Sequence, residues 1–241
     1  MRRALMLSAL MLAAPPATAQ YFGWSTITPS IAGTDTLGLA LRRNAERVSP
    51  IPRSTAPAQG RTATPAVDPA KLTFQSSPTR RRANLDAFIR KARERNAAAG
   101  ADVARAIGQG DVIGQLEPIL HRVGLRADNV ADAVALYWIV AWQTSKGHND
   151  DFSGAKATAV RQQVTAALVK MPSIAGADDA AKQEFAETLL IQSILFDSAV
   201  TAAKGDAKML AMLGSVARQG ASGMGINLSA MTLTERGFVP V

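Results

Sequence analysis

None of the 241 residues is cysteine, only His121 and His148 are histidine, and aromatic residues make up just 5% of the chain. Without thiols there is no disulfide framework, no thiolate zinc site and no N-terminal cysteine to carry a lipid. Stability must therefore come from burial alone. Strand-like alternation is also missing over any useful length, which excludes sandwiches and barrels. After the N-terminus no long apolar run is free of polar residues. The most apolar stretch, Leu189 to Val200, contains Gln192, Ser193, Asp197 and Ser198, so no later segment reads as a membrane span. What the chain does have is 47% hydrophobic residues against 19% charged, enough for a packed core and incompatible with disorder throughout.

The N-terminus reads as a cleavable secretory signal over residues 1–19. Arg2 and Arg3 form the positive n-region, Ala4 to Ala14 the apolar h-region, and Ala17-Thr18-Ala19 an A-x-A cleavage site after the Pro15-Pro16 break. Cleavage after Ala19 would start the mature chain at Gln20 and place it in the periplasm or outside the cell. Two adjacent arginines are common in ordinary n-regions and do not make a twin-arginine signal.

Lysine and arginine number 27 against 19 acids, a formal net charge of +8. Arg2 and Arg3 leave with the signal. Residues 20–82 hold nine bases and three acids, while residues 83–241 hold sixteen of each. The excess thus reads as the property of an arm and the body as neutral. Residues 20–76 fit that arm: Pro50, Pro52, Pro57, Pro65 and Pro69 favour polyproline II, and the segment has too little apolar surface to fold by itself. The arm reads as a disordered tail that happens to contain hydrophobes; the alternative is that Tyr21-Phe22-Gly23-Trp24 or Thr36 to Val48, with Leu37, Leu39, Leu41 and Arg42-Arg43, is locally ordered and docks on the body or a partner.

From residue 77 to 241 the pattern is helical. Ser77-Pro78 is an N-cap followed by an N1 proline, and Leu85, Phe88, Ile89 and Ala92 follow helical spacing. Helices are expected over about 78–97, 101–108, 129–146, 154–171, 179–204 and 207–219, with another opened by Asp111 and closed by Gly124-Leu125. Two of them are apolar on every face: the one containing Ala133 to Trp142, and the one containing Phe185 to Val200. Both must be surrounded by the others. The fold class is therefore all-α, one bundle of six or seven helices around two central apolar ones, with residues 223–241 irregular or in a short extended segment. A domain of this size buries about 70% of its unfolded surface and needs no staples.

Three stretches carry more than composition: Leu72-Thr73-Phe74, the run from Gly124 to Trp142 (GLxxDNVADAxAxYWxxAW), and Leu233 to Val239 (LTxxGFV). Over residues 72–239 the chain resembles a family of secreted proteobacterial proteins of uncharacterised function. The resemblance implies a secreted helical domain and supplies no catalytic residues.

Candidate chemistry is sparse. Asp197 and Asp132 are the candidate catalytic residues. Asp197 shares an apolar helix with Gln192 and Ser193, and unpaired polar groups in a core cost about 1–3 kcal/mol each, so the three could line a cleft. Asp132 is either a buried acid beside Tyr137, Trp138 and Trp142 or, three residues after Asn129, part of a capping-box-like helix start. Glu117 and His121 stand four apart and read as a helical pair; His148-Asn149-Asp150-Asp151 reads as a solvated loop, without the spacing of a calcium site. No metal site and no cofactor is expected, and Gly220 to Gly225 lacks the strand and lysine of a phosphate cradle.

These residues point to an exported, non-enzymatic binding or structural protein of the envelope, with an envelope protein or polysaccharide as partner. Its basic arm (Arg42, Arg43, Arg47) and Arg80 to Arg82 could contact anionic surfaces; nucleic acid is not the expected partner. The competing expectation is an envelope hydrolase using paired carboxylates, drawn from Asp132, Asp197, Glu184 and Glu187, in an interhelical cleft.

Overall fold

The computed structural model describes residues 68–241 apart from Gln109. The signal segment and the arm as far as residue 67 lie outside the described residues. Seven helices follow: α1 (Pro78–Arg95), α2 (Ala97–Ile107), α3 (Val112–Arg122), α4 (Val130–Ser145), α5 (Gly154–Leu168), α6 (Asp179–Ala202) and α7 (Ala207–Gly223). A single turn, Pro172–Ala175, links α5 to α6, and the antiparallel hairpin β1 (Met231–Thr234) and β2 (Gly237–Pro240) closes the chain. The all-α class and the helix number agree with the sequence expectation.

Local chemistry sets the helix ends. Ser77, Asn96, Asp111, Asn129, Ser153, Asp178 and Asp206 each accept a hydrogen bond from a backbone N–H of the helix they open. Asn96 also closes α1, which is why the first break falls there instead of near residue 100. At the end of α3, Gly124 adopts φ 76°, Leu125 N–H donates to Leu120 O and Gly124 N–H to His121 O, the Schellman pairing expected from Gly124-Leu125. Gly147 ends α4 in the same way.

The body begins earlier than residue 77. Pro69–Leu72 forms a 3-10 turn capped by Asp68, Leu72 and Phe74 are buried, and Phe74 N–H donates to Asp128 O beside a bridge between Thr73 and Asn129. Residues 69–74, expected at the end of the arm, therefore pack on the start of α4. The charge is redistributed as well. Arg80, Arg81 and Arg82 belong to α1, so residues 68–241 hold twenty bases and seventeen acids, a net +3 instead of balance.

α4 is the centre: of its residues only Trp138, Trp142 and Ser145 escape full burial. It packs against α5, α6 and α7, and α6 in turn packs against α1 and α3. α6 passes the length and composition test for crossing a membrane, with mean hydropathy 1.2 over an 18-residue window, yet 72% of that window is buried inside the bundle. The hairpin is fastened by side chains. Trp142 Nε1 donates to Met231 O (3.0 Å), while the Gln163 amide donates to Phe238 O (2.8 Å) and accepts from Phe238 N (2.9 Å), as a neighbouring strand would. Gly237, at φ 87°, is required twice over, since a Cβ there would stand 2.5 Å from Gln163 Oε1.

Where α7 crosses α4, the fully buried Tyr137 hydroxyl has no hydrogen-bond partner and lies 2.5 Å from where a Cβ on Gly220 would be. Tyr137→Phe should raise stability by about 1 kcal/mol by deleting an unpaired polar group. Gly220→Ala should lower it by about 1–3 kcal/mol through overpacking, offset in part by alanine's better helix propensity. In urea unfolding the double variant should recover most of the Gly220→Ala loss; an undiminished loss would show that the hydroxyl is not the obstacle.

Candidate functional site

Where α1, α3 and α6 meet, one guanidinium holds three carboxylates. Arg81 on α1 places Nη1 2.9 Å from Asp111 Oδ2, Nη2 2.9 Å from Glu117 Oε1 and Nε 3.2 Å from Glu187 Oε1. Asp111 caps α3, its other oxygen accepting from Gly114 N–H. Glu187 on α6 is 1% exposed and saturated: Oε1 also accepts from Gln183 Nε2 (2.8 Å) and Oε2 from Asn84 Nδ2 (2.7 Å). Gln183 continues the network, accepting from Ser77 N–H and Arg80 Nη1 and donating to Ser77 O.

Burial pushes the Glu187 carboxyl above the usual carboxylate range, against the pull of Gln183, Asn84 and Arg81. For Arg81, burial works downward, but the hydrogen bond to Glu117 and the charge of Asp111 outweigh it and the net direction is up. The two directions fit one picture. The guanidinium gains from Glu117 and Asp111, whereas the deeply buried Glu187 loses more by desolvation than a shared cation returns.

Beside this network runs a groove of about 290 Å³, with Leu85, Val112, Ile113 and Ile191 as its apolar floor and Asp111, Glu187 and Arg82 along its edge. Arg82 is the exposed member, its side chain 73% accessible and 4.0 Å from Asp86.

The candidates from sequence lie elsewhere and apart. Asp132, 1% exposed at the start of α4, accepts from Arg126 N–H (2.9 Å) and faces Arg126 Nε at 3.7 Å and Arg161 Nε at 3.8 Å. Asn129 caps the backbone of Ala131 and Asp132, so the start is a capping box stretched to Arg126. Burial raises the Asp132 carboxyl, opposed first by Arg161. Asp197 on α6 accepts at Oδ1 from Asn149 Nδ2 of the loop after α4 (3.0 Å); burial raises it too, with Asn149 and Lys204 opposing and Asp151 reinforcing. The two acids share no partner: Asp132 is held by Arg126 and Arg161, Asp197 by Asn149.

Glu184 pairs with Lys91 at 3.5 Å. Glu117 turns to Arg81 instead of to His121, and His148 Nδ1 stands 3.0 Å from Asp150 Oδ2. Tyr137 packs on Phe196, ring centroids 6.2 Å apart, while Trp142 sets its ring edge-on to His148 and Phe238. These aromatics serve core and hairpin and form no binding box. Ser193 donates to Leu189 O, and Gln192 is fully buried with neither amide atom bonded. Among the described residues no cluster of three His, Asp or Glu could hold a metal.

Sequence reasoning missed the role of Arg81 and its meeting with Asp111, Glu117 and Glu187. One signal was available: Arg80, Arg81 and Arg82 occupy the first turns of a helix, where the dipole repels cations by about 0.3–1 kcal/mol each. Such a run calls for anions from elsewhere in the fold.

Fold and site together define an all-α bundle whose polar groups converge on a clamp between helices, with a groove at its side. The chain belongs to the family of unknown function DUF6683, whose family model matches residues 1–240. The match takes in residues 1–71, which the likeness traced from sequence over 72–239 left out. No curated protein and no solved structure matches the chain.

An acid whose folded pKa is raised keeps its proton longer folded than unfolded. Its stabilising contribution is complete below the unfolded value and is lost as pH rises through the folded one. Wild type should therefore lose stability relative to Glu187→Gln as pH rises from the ordinary carboxylate value through the raised folded one, read by urea unfolding; a difference independent of pH would refute the raised pKa. Arg81→Met should cost about 3–5 kcal/mol at neutral pH by stranding Glu187, and less in acid, where Glu187 is neutral.

Proposed function

We propose that the chain is exported and that its helical body is a non-enzymatic binding domain of the cell envelope, taking a partner's polypeptide segment in the groove between α1, α3 and α6. The observation that carries this reading is the pairing of an apolar floor, Leu85, Val112, Ile113 and Ile191, with the carboxylate-rich edge around Arg81. Such a groove suits a segment bearing both apolar and cationic side chains, because Asp111, Glu187, Glu117 and Asp86 surround the two guanidiniums of Arg81 and Arg82 and leave an anionic excess. The same arrangement speaks against the hydrolase alternative. Glu187 has its oxygens occupied by Arg81, Gln183 and Asn84, and is held in place with nothing to transfer a proton to. Export rests on the n-region, h-region and Ala17-Thr18-Ala19 pattern of the leader.

Intact-mass measurement of the protein from an envelope fraction should give a chain starting at Gln20; retention of Met1 would refute export by this leader. For binding, the mature protein and its Arg82→Trp variant, which puts an indole at the edge of the groove, should be compared as baits in envelope extract. A specific partner should be captured about tenfold less by the variant, the effect of losing about 1.4 kcal/mol. Equal capture removes the groove from the function, and hydrolysis of a cell-wall substrate that Glu187→Gln abolishes would overturn the non-enzymatic reading.

A further inference from the structure

The groove has a candidate occupant within the same chain. We propose that residues 36–48 dock in it and compete with the external partner, an inference that rests on the groove reading above. The segment Thr36 to Val48 has the chemistry the groove requires: Leu37, Leu39 and Leu41 for the floor, then Arg42, Arg43 and Arg47 for the acidic edge. Asp111 and Glu187 line that edge together with Arg81 and Arg82, and Glu117 and Asp86 pair with the two guanidiniums from beside it, so the cluster holds four carboxylates against two guanidiniums, with Asp111 its exposed lining acid. Other surfaces of α1 are unfavourable for the same segment, since the helix carries seven bases and two acids, with Arg90, Arg93 and Arg95 exposed.

Connectivity favours the same occupant. The described chain begins at Asp68, ten residues before Pro78, which itself lines the groove. Residues 49–67 then form the tether. At about 3.1 Å per residue a proline-rich tether of that length reaches up to about 60 Å, more than the diameter of a domain of this size, about 35–40 Å. Tethering gives an effective concentration of order millimolar, so even a weak site would be occupied much of the time, and an external partner would have to displace the arm.

The absence of native cysteine makes the test direct. In the full mature chain, Arg82→Cys is combined with Leu41→Cys or, as the control on the tether, with Thr55→Cys, and disulfide formation is followed under mild oxidation. The Leu41→Cys pair should close within one chain about tenfold faster than the control. Adding Arg42→Glu and Arg43→Glu should bring it back toward the control rate, because the ion pairs with the acidic edge are then lost. Equal rates at the two tether positions, or indifference to charge reversal, would overturn the proposal. So would disulfides that form between chains and increase with protein concentration, since the occupant would then be a second copy. Capture of a partner that is sensitive to Arg82→Trp, without fast closure, would refute the docked arm and leave the groove reading standing; fast closure together with capture indifferent to Arg82→Trp would refute the groove reading alone.

Discussion

α4 cannot stand in water on any side. Its run from Val130 to Thr144 leaves only Trp138 and Trp142 less than fully buried, so the fold has to supply neighbours all round it. An amphipathic helix needs one partner; a helix without a polar face needs several. α5, α6 and α7 meet that demand. α6 is itself apolar on most sides, so enclosing α4 creates a second surface to be covered, which α1 and α3 cover. The hairpin shields Trp142, and residues 69–74 close the start of α4.

Making a cover for α6 is what produces the clamp. Gln183 and Glu187 lie on the side of α6 that faces α1, and both are buried. A buried carboxylate without a cation is worse by about 3–5 kcal/mol, whereas an arginine in the first turns of a helix loses only about 0.3–1 kcal/mol to the dipole. Stranding the carboxylate is the greater cost, so Arg81 sits on the unfavourable end of α1 because the fold needs it there. Asp111 and Glu117 then balance the remaining sides of the guanidinium. The groove is the gap left where three helices are held at the spacing of an arginine and its carboxylates.

How much of this was legible follows the range of each interaction. Helix number, the two central helices and the glycine closures at Gly124 and Gly147 depend on residues within a few positions of each other, and periodicity with cap chemistry exposes them. The break at Asn96 falls a few residues before the expected one because one side chain both ends α1 and opens α2. The body's true beginning is hidden in the sequence because Leu72 and Phe74 are too few to show a period, and their burial depends on Asp128 and Asn129, more than fifty positions away. Arg81, Asp111, Glu117 and Glu187 are scattered over more than a hundred positions, so no local pattern could assemble them. Asp132 is buried and Asp197 half-buried, in keeping with the apolar helices that carry them, but spacing along a chain does not tell whether two such acids share a cleft.

The three stretches that carry the family resemblance converge in space. Leu72-Thr73-Phe74 lies on Asp128 and Asn129, and Trp142 meets Phe238 with ring centroids 6.4 Å apart. Gly237 belongs to the same seam, since its missing Cβ is what lets Gln163 hold the strand. The motif is therefore a description of how the bundle closes around α4. Every residue of the clamp and of the groove floor, from Arg81 and Leu85 through Asp111 to Glu187 and Ile191, lies outside it. The three stretches describe the seam, while the family match over residues 1–240 takes in the groove without giving it a role. The occupant we propose for the groove is therefore argued from the groove's own apolar floor and its own charges, not from the motif.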